Sequence, residues 1–108
     1  MKVLLDECVP RKLGRELTGH EAITIAAMGW RGVKNGELLR RMSAEGFGAM
    51  LTADKNLPYQ QNASKLPFAI IVLDAYNNSL VSLRPCIPSA LRALAVAKPG
   101  EVHVCKAE

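Results

Sequence analysis

No apolar run in this 108-residue sequence exceeds six residues, the longest being Phe68 to Leu73. A bilayer crossing needs roughly 20, so no transmembrane helix is expected. Only three apolar residues separate Lys2 from Asp6 and Glu7, too few for the apolar region of a signal peptide, and the expected location is the cytoplasm. Cysteine is scarce. Cys8, Cys86 and Cys105 are far apart, odd in number and form no Cys-x-x-Cys pair, which excludes a disulfide scaffold and fits reduced thiols. His20 and His103 are the only histidines, and their spacing matches neither a His-x-x-x-His helix nor a zinc knuckle. Charge of one sign is not in large excess: 14 Lys and Arg against 10 Asp and Glu give +4. That balance suits an anionic partner without requiring one.

What the sequence does contain is the material of a core. Apolar side chains make up 49% and charged ones 22%, the proportions of an ordinary folded domain. A chain of this length buries roughly two thirds of its unfolded surface, enough for one domain, residues 1–108, without metal or disulfide staples.

Lys2 to Leu5 is a short aliphatic run ending in two acids and reads as a strand. Val9, Leu13 and Leu17 then recur every four residues behind Pro10, which suits the first position of a helix, with Gly19 where a C-terminal glycine belongs. Ala22 to Ala27 reads as a second strand, and the glycine-spaced stretch Gly29 to Gly36 as a loop. Asn35 is placed to cap a short helix that turns Leu38, Leu39 and Met42 inward and closes at Gly46. Ala49 to Ala53 and Phe68 to Leu73 read as buried strands, with a polar segment bounded by Pro58 and Pro67 between them. Leu80, Leu83, Ile87, Leu91 and Leu94 keep helical spacing from Ser79, interrupted by Pro85 and Pro88, before a last strand from Glu101 to Cys105. Strands apolar on both faces that alternate with helices predict a three-layer α/β domain. Its central sheet would have about five mostly parallel strands and helices on both faces.

Ligand sites in such sheets lie beyond the carboxyl ends of the strands, where strand order reverses. Asp6 and Glu7 follow the first strand, Asp54 the third and Asp74 the fourth, so carboxylates gather at that edge, and Glu37 near a helix start can point the same way. Each acid alone is equally at home as a turn or helix-cap residue. Together, neighbouring carboxylates repel unless a cation neutralises them. Oxygen ligands without His or Cys favour Mg²⁺ or Mn²⁺, and metal-activated hydrolysis of a phosphodiester follows as the expected chemistry.

Val3-Leu4-Leu5-Asp6-Glu7-Cys8-Val9-Pro10 and Leu51-Thr52-Ala53-Asp54-Lys55-Asn56-Leu57 resemble the two signature segments of the small PIN-like proteins, Leu-Leu-Asp-Glu-Asn-x-Pro and Thr-x-Asp-x-Asp-Phe. The resemblance extends over nearly the whole chain, through Gly19-His20, the glycine-rich loop and the proline-containing last helix. It implies a metal-dependent ribonuclease, often the toxin of a toxin–antitoxin pair, with RNA as substrate, an antitoxin as protein partner and a homodimer among the expected assemblies. By position it assigns metal ligation and catalysis to Asp6 and Asp54, with Glu37 the nearest helix carboxylate. Glu7, Asn35, Thr52, Asn56 and Asp74 take supporting positions around them. Cys8 stands where the family has Asn, and Asn35 and Asn56 stand where it commonly has acids. Two negative charges are missing, which predicts a weaker metal site.

Arg11, Lys12 and Arg15 follow Asp6, while Arg31, Lys34, Arg40, Arg41 and Lys55 adjoin the other acids. Of these, Arg11, Lys12, Arg31, Lys34 and Lys55 are the expected contacts to a phosphate backbone, against the alternative of a plain solvated face. Trp30, the only Trp, either stacks a base or packs over an edge of the core. Two other functions compete with the nuclease: a PIN-like module that binds RNA or protein without cleaving, and a receiver-like phosphate-binding domain. The receiver reading lacks its late-strand lysine signature.

Overall fold

The computed structural model describes residues 1–60 and 62–108. Five strands, β1 (Lys2–Leu5), β2 (Glu21–Thr24), β3 (Ala49–Thr52), β4 (Ala69–Asp74) and β5 (Val102–Lys106), form one sheet. All neighbours run parallel, in the order β2-β1-β3-β4-β5. The chain moves to one side from β1 to β2, then steps back over β1 to reach β3, so strand order reverses between β1 and β3.

Side chains alternate across each strand, and the sheet carries a separate core on each face. Val3, Leu5, Leu51, Ile71 and Cys105 point to one face, where Leu13 and Leu17 meet Leu83, Ala90 and Leu94. Leu4, Met50, Ile70 and Val72 point to the other and meet Leu38, Met42, Leu57 and Phe68. The helices that cover these faces are α1 (Asn35–Ala44), α2 (Leu57–Gln60), α3 (Leu80–Leu83) and α4 (Ile87–Val96). Leu4, Leu13, Leu38, Met42 and Met50 are fully buried, and each contributes about 1.5–3 kcal/mol relative to an exposed side chain.

Several local expectations are corrected. The segment after β1 is a 3₁₀ helix, Arg11–Glu16, with Pro10 in the capping position outside its first turn. Gly14 lets this helix lie close against the sheet, since a Cβ there would sit 2.9 Å from Leu5 Cδ1 and 3.1 Å from Ala22 Cβ. β2 ends at Thr24, whose hydroxyl accepts a hydrogen bond from the Ala27 amide at 3.0 Å and bends the chain into a turn instead of continuing the strand. Asn35 is the first residue of α1 and not its cap; Lys34 occupies the cap position and gives no side-chain hydrogen bond. The polar segment after β3 contains the unexpected short helix α2. Ser79 caps α3, its hydroxyl accepting from the Ser82 amide at 3.2 Å. Pro85 and Pro88 then stand near the starts of a single 3₁₀ turn (Arg84–Cys86) and of α4, where a missing N–H costs nothing. Gly100 has φ +84°, and a Cβ on it would fall 2.7 Å from the Ser64 carbonyl oxygen, so only glycine fits where the chain enters β5.

Trp30 is packed, not displayed. It is 8% exposed, meets Phe47 edge-on with ring centroids 6.0 Å apart, and belongs to the α1-side core. The indole face that base stacking requires is therefore covered, and the packing alternative holds.

Candidate functional site

β1 and β3 lie side by side and end at the same edge, and the Asp6 amide extends their pairing by donating to the Leu51 carbonyl at 2.9 Å. That register brings Asp6 to Thr52. The Thr52 hydroxyl donates to Asp6 Oδ2 at 2.7 Å and accepts from the Asp54 amide at 3.0 Å. Asp6 Oδ1 accepts from the Glu7 amide at 2.8 Å. Asp54 Oδ1 accepts from the Asn56 amide at 2.9 Å, a turn that leads directly into α2. Thr52 is completely buried and is the buried polar side chain of the sheet. One hydroxyl thus bridges the two strand-end acids, fixing one carboxylate directly and the other through its backbone.

Cys8 completes this cluster. Its half-buried Sγ lies 3.6 Å from Asp6 Oδ2 and 3.7 Å from Thr52 Oγ1, and it accepts from the Ala53 amide at 3.4 Å. Burial pushes the Cys8 thiol up, against a smaller opposing pull from the Ala53 N–H. The thiol is protonated at neutral pH and acts as a neutral packing and hydrogen-bonding group. The spacing of the cysteines fits reduced thiols and says nothing of this contact; the position of Cys8 two residues past Asp6 is the signal for it.

The other acids are placed differently. Glu37 bonds to Arg40 at 2.5 Å and lies 3.5 Å from Arg41, both on its own helix. The Arg40 hydrogen bond holds its carboxyl below the ordinary glutamate range. Asp74 pairs with Lys55 at 2.6 Å, and that bond likewise lowers its pKa. Lys55, expected on phosphate, is thus engaged with a carboxylate across the β3–β4 edge. Glu7 and Asn56 are exposed beside Asp6 and Asp54, and Asn35 is exposed at the start of α1. Among the described residues, no three His, Cys, Asp or Glu side chains come together closely enough to hold a metal ion. The structure therefore groups Asp6, Thr52, Cys8 and Asp54, and leaves Glu37 and Asp74 each with a basic partner.

The Thr52 bridge has a measurable weight. Thr52→Val keeps the shape but removes a buried donor and acceptor, leaving the Asp54 amide without its partner. A loss of about 1–3 kcal/mol is expected in chemical denaturation, whereas Thr52→Ser, which keeps the hydroxyl, should hold most of the wild-type stability. Equal stability of wild type and the Val variant would show that the hydroxyl bridge carries no weight.

A parallel α/β sheet with paired carboxylates at its switch point defines the class of the domain. Within that class, a family model described as a PIN like domain matches residues 1–66, and the chain belongs to the PIN-like family. The match contains β1 to β3, α1 and every residue of the Asp6–Thr52–Asp54 cluster, while β4 and β5 lie beyond it. Searches of curated proteins and of solved structures found no match. Among the described residues, no helix is long and apolar enough to cross a membrane.

Proposed function

We infer that this chain is a metal-dependent endoribonuclease of PIN-like type, with Asp6 and Asp54 as its metal-binding carboxylates. The supporting observation is the shared Thr52 hydroxyl, which fixes two acids from separate strands at the switch point of a parallel sheet. Their donor set fits a hard divalent ion: Mg²⁺ is typically held by one or two carboxylates, with waters and substrate phosphate oxygens in its other positions. When bound, Mg²⁺ or Mn²⁺ supplies a Lewis acid and an activated water. The chain's own residues do the holding. The Glu7 amide and the Thr52 hydroxyl each occupy one lone pair of Asp6 and leave others for coordination. The Asn56 amide anchors one oxygen of Asp54 in the same way. A role for Glu37 requires exchange of its two arginines for the ion, and the reading stands on Asp6 and Asp54 without it. The resemblance of the two motifs gives this activity the setting of a toxin restrained by an antitoxin protein.

One observation favours a second reading, a PIN-like module that binds RNA or a protein without cleaving: among the described residues, no third acidic side chain joins the pair. Metal titration separates the two. A ligand that binds the folded state alone stabilises it by about 2.7 kcal/mol at 100 times its Kd, so Mn²⁺ should raise the melting temperature of the wild type. Asp54→Asn should remove that rise. Its amide oxygen preserves the turn to Asn56, so without metal the variant should be at least as stable as the wild type. An equal Mn²⁺ shift in both proteins would refute the shared site, and absence of metal-dependent RNA cleavage would leave the binding module.

A further inference from the structure

The two edges of the sheet are finished differently. β2 stops at the Thr24 turn, whereas β5 runs on as Val102-His103-Val104-Cys105-Lys106, with β4 on one side and, among the described residues, no strand on the other. The Ile70 amide donates to the Glu101 carbonyl at 2.9 Å, so in this parallel register the odd-numbered residues of β5 face β4. The N–H and C=O groups of Val102, Val104 and Lys106 therefore point out of the sheet. Val102 and Val104 are 39% and 58% exposed, and with Val72, Pro58 and Tyr59 they line an open cleft of about 400 Å³ on the α2 side. Tyr59, on the wall of that cleft, is 89% exposed. Edge strands of monomeric proteins are usually blunted by proline, a bulge or several charges. β5 carries a single lysine, at its end.

We propose that β5 pairs antiparallel with β5 of a second copy of this chain, about a two-fold axis at His103, and so joins two sheets into one. Val102 then lies opposite the partner's Val104, and the pair exchanges two main-chain hydrogen bonds through groups that already point outward. The two-fold axis repeats the pair, and the valines of both copies form one apolar strip walled by Tyr59 from either side. A register centred on Val104 would set Val102 against the partner's Lys106 and break that strip. Charge fixes the direction: Glu101 precedes β5 and Lys106 ends it, so antiparallel pairing brings unlike charges together and parallel pairing brings like ones. This self-complementarity is what selects a second copy over an unrelated strand. A pair of short strands covers less than the roughly 800 Å² per partner of a standard interface, so the dimer belongs to the weak, reversible class. β5 lies beyond residues 1–66 that match the family model, so the surface belongs to a part of the chain that the PIN-like motifs do not describe. The acid-bearing edges of the two copies point to opposite ends of the joined sheet, and the pairing does not depend on the nuclease reading.

Sedimentation velocity tests the proposal without metal or RNA. The wild type should shift from monomer to dimer between about 1 and 200 µM, the range of a small, reversible interface. Val104→Lys places a charge on the exposed face of the edge strand and should weaken the dimer at least about tenfold, with an unchanged far-UV circular dichroism spectrum. Val81→Lys, a charge on an equally exposed valine of α3, should dimerise like the wild type. A cross-link tests the register independently. Residues opposed at the axis of such a pair have Cα atoms about 4.5 Å apart, within disulfide reach, so His103→Cys should form a covalent dimer in oxidised glutathione. The wild type, whose Cys86 and Cys105 are buried, should form none. A wild type that stays monomeric at about 200 µM would overturn the proposal and leave the edge to a strand from another protein. So would a dimer that survives Val104→Lys, or a folded, dimeric His103→Cys variant that does not cross-link. Failure of the nuclease reading looks different: the dimer is intact and Mn²⁺ produces no cleavage.

Discussion

Replacing Trp30 with alanine should destabilise the protein by about 3–5 kcal/mol, the usual cost of truncating a large buried aromatic. The indole fills the space between the turn after β2 and the start of α1, where it meets Phe47 edge-on. Its own backbone is tied in, the Trp30 amide donating to the Ile25 carbonyl at 3.0 Å and the Val33 amide to the Trp30 carbonyl at 3.2 Å. Loss of the ring also loosens Phe47, over which Lys2 Nζ sits 4.5 Å from the ring centroid. Far-UV circular dichroism in urea is the measurement, because the variant has no tryptophan left to report. A domain of this size has about 5–15 kcal/mol in total, so the variant should be near its unfolding threshold at 37 °C. A shift below 1 kcal/mol would show that the indole is dispensable to the core.

Asn56→Asp should raise Mn²⁺ affinity about tenfold and speed RNA cleavage. The wild-type site has two carboxylates where its relatives commonly draw on more, and an amide at position 56 attracts a cation less than a charged carboxylate does. Position 56 is well placed for the gain: its amide donates to Asp54 Oδ1 at 2.9 Å, and its side chain is exposed on the same turn. The added charge has the opposite effect without metal, since it stands close to the Asp54 carboxylate and repels it. The variant should therefore be slightly less stable than wild type in EDTA and more stable in millimolar Mn²⁺. Isothermal titration calorimetry and a cleavage assay check the two halves. Unchanged affinity and rate would end the catalytic reading of this site.

How much of this was legible in residues alone follows from the range of the interactions involved. Strands β1, β3 and β4 were readable because they are buried on both faces and leave continuous apolar runs, and their parallel arrangement follows from the helices between them. Asp6 and Asp54 were readable as neighbours because both end such runs. The short elements were not. Thr24 ends β2 through a hydrogen bond to Ala27 that composition does not announce, and α2 occupies four residues, too few for a period to register. Glu37 and Lys55 were assigned by proximity in sequence, but charged side chains pair with whatever the fold brings near. Arg40 lies one turn along the same helix, and Asp74 arrives from β4. Trp30 sits in a polar, glycine-flanked loop, and that its ring turns inward depends on Phe47, which sequence separates from it.

The bond between Thr52 and Asp6 spans 46 residues of chain. Asp6 is thus held by a group added to the chain 46 residues later, on a strand buried from one side by α1 and from the other by α4. A piece of chain that ends before Thr52 lacks the arrangement, and β1 with its loop alone carries Asp6 and Glu7 without the hydroxyl that fixes Asp6. The geometry at this edge therefore exists only once β3 has paired with β1.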